Sequence, residues 1–150
     1  MKLLVLPVTI AAFVAVAGAA CAEMYVDYTP QKGAWHVVTA KVDPNHIDDY
    51  LVGLKKTWVP GEEISKKRGL IDSYTISVKL TGSDGGANVM MVEHIPSLAL
   101  LEPDKARDQA IEKEVYEVMA KDKMEAQVKD FEKYRVFISD EYWTDISYSK

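Results

Sequence analysis

Cysteine is almost missing: the 150 residues hold one, Cys21, close to the N-terminus. A single thiol excludes an intrachain disulfide and a multi-thiolate zinc site. Histidine is scarce too, with three in the chain. No glycine-rich phosphate loop, HExxH pair or nucleophile-elbow serine occurs. The linear signatures of nucleotide hydrolysis, zinc peptidase action and α/β-hydrolase chemistry are therefore lacking. Nor is there a basic excess, since 18 Lys and Arg stand against 23 Asp and Glu. That balance excludes phosphate-backbone binding as the main business, and so nucleic acid as the partner. No pattern calls for a cofactor or a metal.

One long apolar run is present, over residues 3 to 16, broken by Pro7 and Thr9. Lys2 precedes it, and Ala20-Cys21-Ala22 has the small-x-small form that a signal peptidase reads. The run is shorter than the ~20 residues a membrane-spanning helix needs. Residues 1–22 are read as a cleaved export signal, which places the mature chain in the periplasm or outside the cell. The alternative is lipid attachment at Cys21, but Gly18, Ala19 and Ala20 lack the large apolar residue such sites favour. Residues 23–33 form a leader, and residues 34–150 a single domain held by its core.

Within that domain Trp35 to Val42 alternates as a strand. Asp43-Pro44 is an N-cap with proline in the first helical turn. Ile47, Tyr50, Leu51, Leu54 and Trp58 then recur at helical spacing, and Pro60-Gly61 is expected to interrupt that helix before Gly69 ends it. Strands are expected over 71–80 and 88–95, joined by a glycine-rich turn. A long helical region follows from Pro103 to about Tyr134, with a break at Lys121-Asp122-Lys123. A last strand is expected at 143–148. The order β-α-β-β-α-β predicts an α+β, ferredoxin-like fold with strand order 4-1-3-2.

Strand one, Asp43-Pro44, Tyr50-Leu51, Trp58-x-Pro60 and Lys67-Arg68-Gly69-Leu70-Ile71 together resemble the dimeric α+β-barrel superfamily, and small exported bacterial proteins of that type. The resemblance covers residues 34 to 148. It implies a homodimer and admits an antibiotic-biosynthesis-monooxygenase-like activity without a cofactor, while selecting no function by itself.

Matching the apolar faces pairs Val38 with Val92 and Ala40 with Met90, which sets His36 opposite His94. These histidines, with Asp72 or Tyr74, are either a two-histidine site or rim residues packed at the core's edge. His46 is expected to face solvent. The other face collects Trp35, Val37, Thr39, Thr75, Met91 and Glu93. It reads either as the lining of a cavity for a small apolar or aromatic molecule, with Glu93 as acid or base, or as a subunit interface. Tyr50 and Trp58 are expected in the core or a pocket wall. Three functions remain open: binding of a small molecule, a monooxygenase-like enzyme, and an interaction module without ligand.

Overall fold

A computed structural model describes residues 21–82 and 85–149. The expected export signal falls outside these residues except for its last two positions. No helix among the described residues is long and apolar enough to cross a membrane. The chain runs β1 (Tyr28–Pro30), β2 (Ala34–Val42), a 3-10 turn (Pro44–His46), α1 (Ile47–Lys67), β3 (Ser73–Val78) and β4 (Val89–Ile95). A second 3-10 turn (Leu98–Leu101), α2 (Lys105–Val118), α3 (Lys121–Phe131), β5 (Arg135–Trp143) and β6 (Ile146–Tyr148) complete it. The fold is α+β. Among the described residues it has three α-helices, a four-stranded antiparallel sheet ordered β3-β4-β2-β5 and a two-stranded β1-β6 ribbon, with no closed barrel.

The start of α1 follows from local chemistry: Asp43 Oδ1 accepts from the Asn45 N–H at 2.9 Å, and Pro44 opens the turn. Pro60 does not break α1 as expected, and the helix runs on to Lys67. Gly69, at φ +72°, ends it as anticipated; its N–H and that of Leu70 close on Lys66 and Ser65 carbonyls. The break between α2 and α3 falls at Met119-Ala120, just before the expected lysines, where Met119 turns extended.

Two strand assignments change. The last strand of the main sheet is Arg135–Trp143, not 143–148. A register shift between Thr39 and Ala40 interrupts its alternation, which hides it as a period-2 pattern. Residues 146–148 instead pair with Tyr28–Pro30, so the leader is partly a strand.

The core lies between the sheet and the helices, built from Ala40, Val42, Tyr50, Leu54, Val89, Met91 and Phe131. Phe131 docks on the backbone of α1. A Cβ added to Gly53 would stand 2.4 Å from the Phe131 ring, so only glycine admits this approach of α3. The Phe131 and Tyr50 rings meet edge-on at 4.9 Å.

Candidate functional site

The register of β4 decides where the chemistry lies. His36 pairs with Glu93, Val38 with Met91 and Trp35 with His94. The expected pairing of His36 with His94 is therefore off by one residue, and one residue in a strand exchanges the two faces. The reason is visible in β4, where Val89, Met90, Met91 and Val92 are apolar in succession and offer no alternation to read. The two-histidine site does not form. His94 lies on the open face, its ring 4.6 Å from Trp35 and its Nδ1 2.8 Å from Asp72 Oδ2. The expected grouping of Met91 and Glu93 with Trp35, Val37, Thr39 and Thr75 is likewise split. Met91 and Glu93 face the helices, whereas Trp35, Val37, Thr39, Thr75 and His94 share the opposite face. There Thr39 Oγ1 meets Ser139 Oγ at 2.7 Å. His46, half-exposed, stacks on Tyr134 at 4.7 Å.

On the helix side a cleft of about 470 Å³ opens between β2, β4, β5, α1 and α3. Val38, Leu54, Trp58, Met91, Val128 and Phe137 are among its apolar walls. Its polar groups form a chain. His36 Nδ1 lies 2.7 Å from Glu93 Oε1, and His36 Nε2 lies 2.7 Å from Asp140 Oδ1. A neutral imidazole has one N–H and cannot donate to both carboxylates, so this geometry favours the imidazolium. Burial lowers the His36 pKa, but hydrogen bonds and charge from Glu93 and Asp140 outweigh it and leave the group raised. Tyr142 stacks on the same ring at 4.6 Å and 11°, holding its orientation.

Glu62 completes the chain from above. It is carried on α1 and is 8% exposed. Burial first, then the hydrogen bond and charge of Glu93, push its carboxyl up to about 9. Its Oε2 is sealed from water with no hydrogen-bond donor facing it. Two ionised carboxylates offer each other only acceptors; the pair is satisfied when Glu62 keeps its proton and donates it to Glu93. Glu62, Glu93, His36 and Asp140 thus run as proton donor, acceptor, cation and acceptor, from beneath α1 to the solvent. Such a chain can hold a proton in a dry wall of the cleft and exchange it with a ligand. Among the described residues no three His, Cys, Asp or Glu converge on a point that would hold a metal ion.

Glu62, Asp140, Tyr142 and Arg135 were missed in the sequence. Glu62 had a signal: Leu54, Trp58 and Glu62 are spaced by four, so an acid stands on the apolar stripe of α1. The other three lie on β5, between the helical region expected to end near Tyr134 and the strand expected from Trp143.

Comparison with family models, with curated proteins and with solved structures gives no match. The functional reading rests on the cleft.

Proposed function

We propose that this chain is an exported, homodimeric protein that binds a small, partly apolar molecule in the cleft between α1, α3 and the sheet. One observation carries the reading: a pocket of ligand size whose walls are apolar and in which His36 links Glu93 to Asp140 by hydrogen bonds. The dimer is supported by the open face of the sheet. Trp35, Val37, Met90 and Val92 lie there, flanked by the exposed Val136 and Trp143. A second copy covers such a patch with its own identical face, in the manner of the α+β barrels the sequence resembles. The test is native mass spectrometry of protein purified from its own host. A retained small molecule, lost when Val128→Trp fills the cleft, supports the reading. Bare protein, with no compound from a small-molecule library displaced by that variant, leaves an interaction module without ligand.

The proton-holding chain favours a second reading, a monooxygenase-like enzyme acting without a cofactor. Glu93, held by the His36 cation, would take a proton from a bound quinol, and the resulting anion supplies the electrons for dioxygen. The substrate loses two hydrogens and gains one oxygen, while the other oxygen leaves as water. Oxygen uptake with candidate quinols, abolished in Glu93→Gln, is the outcome this reading requires.

A further inference from the structure

Two buried side-chain polar atoms lack a hydrogen-bond partner among the described residues, Glu62 Oε2 and Arg135 Nε. Both residues line the same cleft. Glu62 has Glu93 as a side-chain neighbour with which to share its proton. Arg135 differs. Its guanidinium makes no ion pair and no hydrogen bond among the described residues, and its neighbours are rings: Phe137 at 4.0 Å, Phe131 at 5.6 Å and Tyr50 at 5.7 Å. Aromatic faces stabilise the flat sides of a guanidinium but leave its in-plane N–H groups unused. Those groups form a fork that fits a carboxylate with two parallel hydrogen bonds.

Charge points the same way. The charges of Glu93 and Asp140 are each shared with His36. Arg135 is the charged group of the cleft that has no counter-ion. Position along the strands separates it from the acids: Arg135 stands level with Val42, Asp140 with Val38, and Glu93 with His36. At ~3.3 Å per residue, the six positions from Val42 to His36 put roughly 20 Å between the backbone levels of the two ends. An acceptor at the Arg135 end therefore does not meet the acidic chain.

We infer that the cleft is built for a small organic anion, an aryl or alkyl carboxylate whose acid group sits on Arg135 and whose apolar body lies along Met91, Val38 and Trp58. This rests on the binding reading above and names its ligand class.

Calorimetric titration of the exported protein with naphthoate, naphthamide and naphthylmethylammonium separates the alternatives, because the three share one apolar body and differ in charge. Naphthoate is expected to bind roughly tenfold or more tightly than the amide, as a charge-assisted pair exceeds a neutral one, with the ammonium weakest. Arg135→Gln should bring naphthoate down to the amide's affinity and leave the amide unchanged. Arg135→Lys keeps the charge without the fork and should fall between, which covers the case in which the glutamine variant fails to fold. Equal binding of acid and amide by the wild type, both lost in Val128→Trp, overturns the anion assignment and leaves the cleft a binding site. A preference for the acid that survives in Arg135→Gln overturns it as well. Failure of all three compounds to bind overturns both the assignment and the binding reading.

Discussion

The two faces of the four-stranded sheet are made from the same two central strands, β2 and β4, and differ in nearly everything else. The face under the helices holds the buried Ala40, Val89 and Met91, and beyond them His36 and Glu93 joined to Glu62 from α1. The other face shows Trp35, Val37, Thr39 and His94, whose polar groups bond to neighbours at its margins, Asp145, Ser139 and Asp72. The first face stores ionisable groups away from water; the second stores apolar area against it. The lesson is that function follows enclosure. Glu93 becomes part of a proton chain because helix α1 brings Glu62 over it, whereas His94, one residue on, pairs with an exposed Asp72 at the surface.

Substitutions on the two faces should separate by size of effect. Phe131→Ala empties the joint between α1 and α3, where the ring is 1% exposed. It should cost about 3–5 kcal/mol in urea unfolding, with the cleft lost at the same time. Gly53→Ala attacks the same joint by overpacking and should cost about 1–3 kcal/mol, because Phe131 must withdraw from α1. On the open face, Val37→Asp with Val92→Asp sets two like charges opposite each other on the central strands and should cost the single chain about 1–2 kcal/mol. It should also convert a dimer to a monomer by light scattering. A dimer that persists in this variant shows that the open face is not the contact.

The pH response sharpens the contrast further. Glu62 keeps its proton in the folded chain to about pH 9, while its ordinary value is 4.5. Between these values folding takes up a proton, so this contribution is complete below 4.5 and is lost as pH rises through 9. His36, also raised, acts in the same direction, its contribution declining as pH rises past its folded-state value. The Glu62 contribution should therefore fall with rising pH between 4.5 and about 9, by at most about 1.4 kcal/mol per pH unit. Glu62→Gln should flatten most of that slope.

Much of this arrangement was legible in the residues. The capped start of α1, its glycine stop and the alternation of β2 all follow from local patterns. Three features did not. The register of β4 was hidden because Val89 to Val92 are apolar at every position, so both faces fit equally well. β5 was hidden by its register shift and by the charged helix before it, which runs without a break signal into Arg135. The chain of acids was hidden because Glu62, Glu93 and Asp140 come from three elements, and only their packing makes a site. Glu62 alone carried a local clue, as an acid in line with Leu54 and Trp58.

The central claim is that the helix-covered face holds a protonated carboxyl poised against Glu93 and His36. NMR of isotope-labelled glutamate side-chain carboxyls, titrated from acid to alkaline pH, tests it directly. The account predicts one glutamate titrating near 9, absent from the spectrum of Glu62→Gln, with the His36 ring shifting in step as Glu62 ionises. A spectrum in which Glu62 titrates near the ordinary 4.5 would contradict this, because Glu62 and Glu93 would then both be ionised with no proton shared between them.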